Sequence, residues 1–396
     1  MSCIERTVED VQKLIHHAKL TEDELLPVTQ TLEFSPEYGE ASQEMVMMEV
    51  DPTLLSTMKQ GDSIVLRGDP EAGVVLCTNN KTYEVREAET SNSLVLVPQL
   101  ALPSKDSTGE RTLENCQVCS IHYKYLELRP CKPRVEKLQQ VLEEHPYSGP
   151  QEDDLTDTSK GKKYAWNDLL NRVQCSEEEL DQALRDLEAY HIYGFWQILE
   201  FDYRFKVVSH ILQLIETKSW ALDCVPYKES VEILSELEPR AVMVQCFEYY
   251  LAPTDNENES GDALYTLQDD KICRLCAEVL LKSADKYNLN EFLSIWQQSV
   301  PEGLTTNMSQ LEGLALVDRS GSADAISYFP VSSLPSGIQE RFNCLFETRE
   351  KWSIEEIRPY IMDLTGEKTP VNALLTKYAR ASTSNGIKYY SGRHAR

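Results

Sequence analysis

SEEELDQALRDLEAYHIYGFWQIL, residues 176–199, places a helix directly before a hairpin arm. Ser176 and Glu179 have capping-box spacing, in which hydroxyl and carboxylate satisfy each other's backbone N–H groups. Leu180, Ala183, Leu184 and Leu187 then share one stripe of a 3.6-residue period. Ile192 to Leu199, interrupted by Gly194, reads as a strand or hairpin arm. With a further helix expected over 164–173, this is the outline of a winged helix, a helix-turn-helix variant finished by a β-wing.

The outline recurs downstream. Helices are expected at 227–235, 240–251 and 269–284, with an acidic loop, APTDNENESGD, and a strand at 264–267 between the last two. Residues 289–299 and 309–312 precede an expected hairpin of Leu314–Asp318 with Ala325–Phe329. At the end come helices at 338–350, after the Ser353/Glu356 capping box, and at 370–380, then a strand at 387–390.

Upstream, HPYSGPQEDDLTDTSKGKK (145–163) combines Pro, Gly, Ser and acids with almost nothing apolar, the composition of a linker. Before it, an opening helix carries Val8, Val11, Leu14, Ile15 and Ala18. Short strands follow at 44–50, 63–66, 73–78, 81–88, 93–97 and 115–128. Asp51, Pro52 and Gly61 cap, start and stop a helical insert at 53–60, and 134–144 is a closing helix. The expected class is therefore α+β: an N-terminal antiparallel sheet or barrel-like domain followed by two to three winged-helix modules. The expected boundaries are 1–145 for the β-rich partner-binding domain, 146–163 for the linker, 164–225 for a first winged helix, 226–335 for a middle region and 336–396 for a basic C-terminal winged helix. A chain of 396 residues exceeds what one hydrophobic core of about 250–300 residues supports.

The 65 Asp and Glu against 39 Lys and Arg give a net charge of −26, so most of the surface suits protein partners and solvent. No apolar run approaches the roughly 18 residues of a membrane span, and MSCIERTVEDVQKL lacks the apolar core of a secretory signal. Nucleus or cytosol is the expected compartment, with the eleven cysteines reduced.

Phosphate loops, dinucleotide fingerprints, HExxH and GxSxG are all missing from the sequence, so neither an enzyme nor a cofactor is expected. Cys116, Cys119 and His122, with Cys131 beyond, have the chemistry of a zinc site. Cys119, Ile121 and Tyr123 alternate as one face of a strand, however, which favours packing. Cys273 and Cys276 fall within a helical apolar pattern and read as core.

The last 29 residues contain no Asp or Glu, yet hold Lys368, Lys377, Arg380, Lys388, Arg393 and Arg396. This is where a winged helix carries its recognition helix and wing. With Tyr390 expected beside Lys388 as a stacking aromatic, these seven residues are the candidate DNA-binding set. The competing reading is a solvated basic tail. The first module is acidic on its capped helix, with Glu177, Glu178, Glu179, Asp181, Asp186 and Glu188 against Arg185. It is therefore expected to contact protein, with Phe195 and Trp196 as partner-binding anchors.

LEFDY (199–203), DKICR (270–274), WQQSVPEG (296–303), GLALVDR (313–319), ERFNCLF (340–346), REKW (349–352) and ALLTKY (373–378) resemble the sister chromatid cohesion DCC subunit of the alternative replication factor C clamp loader. RGD (67–69) and KTYEVREAETSN (81–92) extend the resemblance into the N-terminal half. It implies a non-catalytic nuclear subunit whose β domain assembles with a small chromosome-transmission-fidelity subunit and the tail of the large ATPase subunit. Its winged helices would contact DNA and DNA polymerase epsilon, and it would act on the sliding clamp indirectly, in loading or unloading and in cohesion. The alternative is a winged-helix chromatin or transcription regulator outside the clamp loader.

Overall fold

A computed structural model describes residues 7–20, 28–39, 44–69, 72–100, 112–133, 135–150, 162–319, 321, 323–366, 369–384 and 386–393. The chain divides into two compact units, the first Met1–Pro133 with Gln174–Glu178, the second Arg134–Val173 with Glu179–Arg396.

In the first unit, α1 (Val8–Ala18) is amphipathic by sequence but buries no residue. Strand β1 (Val28–Phe34) follows, then β2 (Met48–Glu49) and α2 (Pro52–Gln60). The insert obeys its sequence signals. Asp51 accepts the Leu54 N–H at 2.7 Å, Pro52 supplies the first turn, and Gly61 takes the left-handed conformation (φ +81°) that ends the helix. Next come β3 (Val65–Asp69), β4 (Ala72–Cys77), β5 (Thr82–Leu96), β6 (Thr112–Val118) and β7 (Ser120–Cys131).

The larger sheet has the order β2-β7-β5-β4-β3, and β1 pairs with β6 in a second, two-stranded sheet. Three features depart from expectation. β5 is one strand, because a bulge between Glu89 and Leu94 absorbs the polar residues that look like a break. The expected strand 115–128 is two: β6 pairs with β1, and after Cys119, whose N–H donates to the Leu96 carbonyl at 2.9 Å, β7 pairs with β5. Finally, the β1–β6 and β2–β7 pairings are parallel, while the β3-β4-β5-β7 ladder is antiparallel as expected. One core cluster here is Leu54, Leu76 and Tyr83, packed against Met48, Val50, Ile64, Val85 and Leu128.

The second unit repeats one order of elements: helix, strand, helix, helix, strand, strand. In the first repeat these are α3 (Val135–Glu143), a single bridging residue Tyr164, α4 (Trp166–Val173), α5 (Glu177–Asp186), β8 (Tyr190–Ile192) and β9 (Phe195–Gln197). The second has α6 (Phe201–Lys218), β10 (Val225–Pro226), α7 (Tyr227–Leu234), α8 (Arg240–Tyr250), β11 (Leu251–Glu257) and β12 (Ala263–Leu267). The third has α9 (Asp269–Lys282), β13 (Tyr287–Asn288), α10 (Leu289–Ser299), a 3-10 turn (Met308–Leu311), β14 (Ala315–Asp318) and β15 (Ala325–Tyr328). The fourth has α11 (Ile338–Thr348), β16 (Trp352–Ser353), α12 (Ile354–Ile357) run on by a 3-10 turn (Arg358–Tyr360), α13 (Val371–Tyr378), β17 (Ala379–Ser384) and β18 (Ile387–Gly392).

The three complete sheets share the order first–third–second strand: β10-β12-β11, β13-β15-β14 and β16-β18-β17. Four repeats thus stand where two to three modules are expected. The expected middle region, 226–335, holds most of the second repeat and all of the third. Helix α6, which carries no expectation from sequence, starts the second repeat; its Tyr203, Val207, Val208, Ile211 and Ile215 are buried. The acidic loop at 252–262 is largely strand β11.

One continuous core runs from Tyr147 and Tyr190 through Phe247 and Cys273 to Trp296 and Ile326, joining the hairpin of the first repeat to the second and third repeats. A separate core built on Phe342, Leu345, Trp352, Tyr360, Leu374 and Tyr390 serves the fourth. Each of the last two repeats centres on a fully buried indole whose N–H is satisfied. Trp296 donates to the Cys273 carbonyl at 2.7 Å, and Trp352 reaches the Leu345 and Arg349 carbonyls at 3.0 and 2.9 Å. The fourth repeat is tied to the third by the Tyr360 hydroxyl, which donates to the Ala315 carbonyl at 2.9 Å, and by the Arg349 guanidinium, which donates to the Val317 carbonyl.

Candidate nucleic-acid and partner interfaces

Helix α13 starts at Pro370, which supplies an extended cap, and turns Leu374 and Leu375 into the core. That leaves Lys377 exposed, with its ammonium 5.0 Å from the Tyr378 ring centroid. The β17–β18 hairpin turns at Gly386, whose φ of +77° is left-handed. Arg380 and Lys388 are exposed on its two strands. None of these three cations has a carboxylate within 4 Å among the described residues, whereas elsewhere in the second unit paired cations abound, Arg341 with Asp363 at 2.8 Å being one.

Arg393 is differently employed. Its guanidinium donates to the Thr376 carbonyl at 2.6 Å and, more weakly, to that of Ala379 at 3.4 Å, closing the C-terminal end of α13. Lys368 and Arg396 lie outside the described residues. Tyr390 requires a correction: it is 6% exposed, pairs with Trp352 across β16–β18, and is capped by the Lys388 ammonium 5.3 Å from its ring centroid. Strand alternation does put Lys388 and Tyr390 on one face, but the core claims the ring, so it offers no stacking platform. An open cleft of about 450 Å³ beside the start of α13 is lined by Arg358, Thr365, Gly366, Pro370 and Asn372. Sequence reading passes over Arg358 because it precedes Pro359 in a helix that looks broken; Arg358 is exposed and has no ion pair among the described residues.

In the first repeat, Tyr193 (φ +51°) and Gly194 (φ +90°) form the two-residue turn between β8 and β9. Phe195 and Trp196 are half-buried; the Trp196 ring lies 5.1 Å from that of His191 and 6.1 Å from that of Trp166, and Tyr193 is exposed at the tip. The Gln245 side chain holds both outward backbone groups of His191, accepting its N–H at 2.7 Å and donating to its carbonyl at 3.1 Å.

The acidic face of α5 is smaller than its sequence suggests. Arg185 pairs with Asp181 at 2.9 Å. Glu188 turns inward to Lys271 at 3.1 Å and accepts the Tyr250 hydroxyl at 2.9 Å. It joins Arg204, Glu278 and Lys282 around a cleft of about 740 Å³, where Arg204 and Lys282 bridge to Glu278 at 2.9 and 3.0 Å. Burial pushes the Tyr250 hydroxyl well above its ordinary range.

In the first unit the Cys116 thiol points inward to the Gln30 amide oxygen at 3.1 Å, while His122 is hydrogen-bonded to Ser120 at 2.9 Å. Among the described residues no three His, Cys, Asp or Glu side chains converge as a metal cradle. The unit exposes several apolar side chains: Phe34 is 64% exposed on β1 and Leu66 58% on the edge strand β3, with Leu32, Val46, Val95 and Tyr123 also exposed. Among the described residues, strands β1 and β6 have no strand neighbour but each other, forming a two-stranded sheet.

A family model described as sister chromatid cohesion protein Dcc1 matches residues 45–361. The mouse sister chromatid cohesion protein DCC1 is 43% identical over 99% of this chain and 98% of its own length. That of Danio rerio is also 43% identical, over 98% of each. The Saccharomyces cerevisiae protein of that name is 22% identical over 78% of this chain and 84% of its own length. Near-complete coverage at this identity leaves one assignment: the chain belongs to the Dcc1 family of sister chromatid cohesion proteins.

Proposed function

We propose that this protein is a non-catalytic nuclear adaptor subunit of an alternative replication factor C clamp loader. On this reading its repeats are winged helices, the fourth holds DNA, the first meets the leading-strand polymerase, and the first unit assembles with the large ATPase and small chromosome-transmission-fidelity subunits. It thereby supports sliding-clamp loading or unloading and sister chromatid cohesion. The observation that carries the reading is the set Lys377, Arg380 and Lys388, exposed and unpaired on a segment with no acid, at the end of a chain of net charge −26. Local patches act locally because charges more than about 8 Å apart are largely screened at physiological salt. Open strand edges and exposed apolar side chains in the first unit support its completion by partner strands, and the Tyr193, Phe195 and Trp196 surface supports a protein contact on the first repeat.

Charge reversal of Lys377, Arg380 and Lys388 to Glu in the full chain should abolish DNA binding while leaving co-purification with the clamp-loader ATPase intact. Three phosphate contacts predict a log–log salt slope near about −2.7 for the unaltered protein. Unchanged affinity and slope in the variant would refute the DNA assignment, and failure to co-purify with the ATPase would refute the adaptor role.

A further inference from the structure

The sequence contains two Ser/Thr-Pro dipeptides, Ser35-Pro36 and Thr369-Pro370, and their surroundings differ. Ser35 is half-buried at the end of β1 and its hydroxyl oxygen accepts the Glu37 N–H at 3.3 Å. Thr369 is exposed, and its hydroxyl makes no hydrogen bond among the described residues. Its backbone is fixed by a two-way bridge to Gly366, at 3.0 and 3.2 Å, so the hydroxyl is presented from a defined turn. Pro370 follows in an extended conformation (φ −65°, ψ 162°), and the cleft near the start of α13 leaves room beside it.

We propose that Thr369 is the phosphoacceptor of a proline-directed Ser/Thr kinase, and that its phosphorylation switches off nucleic-acid binding by the fourth repeat. The switching half rests on the DNA reading above. The step transfers the γ-phosphoryl group of ATP: the bond to the β-phosphate oxygen breaks, a bond from phosphorus to Thr369 Oγ1 forms, and ADP and the hydroxyl proton leave. The product carries about −1.5 to −2 charges at pH 7. From Thr369 to Arg393 the chain has four cations, Lys377, Arg380, Lys388 and Arg393, and no acid. One phosphate therefore cancels about a third to a half of the local positive charge, the lower figure with Lys368 included. It does so at the leading end of α13, where a DNA backbone lying along that helix would meet it. No other hydroxyl followed by proline adjoins this segment.

The test treats the full chain, alongside Thr369→Ala and Ser35→Ala, with a proline-directed kinase and ATP. Phosphate is located by mass spectrometry and affinity for a short labelled DNA duplex is measured between about 50 and 200 mM salt. The expected result is phosphate on Thr369, an affinity loss of about tenfold or more, and a flatter salt slope. Those effects should persist in Ser35→Ala and vanish in Thr369→Ala, which should bind like the untreated protein. Absence of phosphate at Thr369 overturns the proposal, as does full modification with unchanged affinity. If the untreated protein itself fails to bind duplex, the DNA reading falls and the switch with it, a result distinct from either of the others.

Discussion

Burial pushes the Cys246 thiol up to about 12 and those of Cys273 and Cys276 up to about 11, so all three remain protonated at neutral pH and serve as packing atoms. An unfolded thiol ionises near about 8.5. Above that pH the folded chain holds more protons than the unfolded one, so the contribution of these groups is fully present below about 8.5 and is lost as pH climbs toward 11. Urea midpoints should accordingly fall between about pH 8.5 and 10.5. Cys246→Ala should start lower, because of the cavity, and decline less steeply. A midpoint flat across that window in the unaltered protein would contradict the burial of these thiols. At this scale the sequence reveals Lys377, Arg380 and Lys388 readily, since cations without neighbouring acids stand out. Tyr390 is misjudged because alternation separates two faces of a strand without saying which is inner. The fold leaves Ile387 about half exposed and buries the tyrosine.

Among elements, α2 is the most legible, because cap, first-turn proline and terminating glycine all carry their own backbone chemistry. Asp51→Ala should cost about 0.5–2 kcal/mol and Leu54→Ala, at a 1% exposed core position, about 2–5 kcal/mol. Both are measurable as shifts in the urea midpoint, and equal losses would show that α2 is not anchored through Leu54. Strand β1 is illegible for the opposite reason. Gln30 interrupts the alternation of Val28, Leu32 and Phe34 with Thr29, Thr31 and Glu33, and the strand pairs with β6, some 84 residues distant at the Thr31–Asn115 side-chain contact. Helix α6 escapes notice because its buried face mixes Tyr203 with Val and Ile residues, and both β-branched and aromatic types favour strands.

In the second unit one core cluster joins the second and third repeats to the hairpin of the first. Disruption in one repeat should therefore spread. Trp296→Ala, at a fully buried indole of the third repeat, should cost about 3–5 kcal/mol and raise hydrogen exchange in α8 and β12 of the second repeat together with α10. Exchange confined to α10 would show that the repeats open independently. The repeat number is hard to read from sequence because the first strand of each repeat is only one or two residues long: Tyr164, Val225-Pro226, Tyr287-Asn288 and Trp352-Ser353. Segments that short carry no period, and only the closed sheets reveal them.

The Gln245 clamp gives this architecture a division of labour. Strand β8 lies at the rim of its small sheet, and the outward-facing backbone groups of His191 are both occupied by one amide side chain acting as a surrogate strand. That margin of the hairpin is occupied at His191, so on the proposed reading a partner of the first repeat is recognised through the side chains of Tyr193, Phe195 and Trp196. On the same reading the margins of the two-stranded β1–β6 sheet recruit by main-chain addition. The proposed function would then use two recognition dialects, read by side chain at one place and by backbone at another, so that two partners need not compete for the same kind of contact.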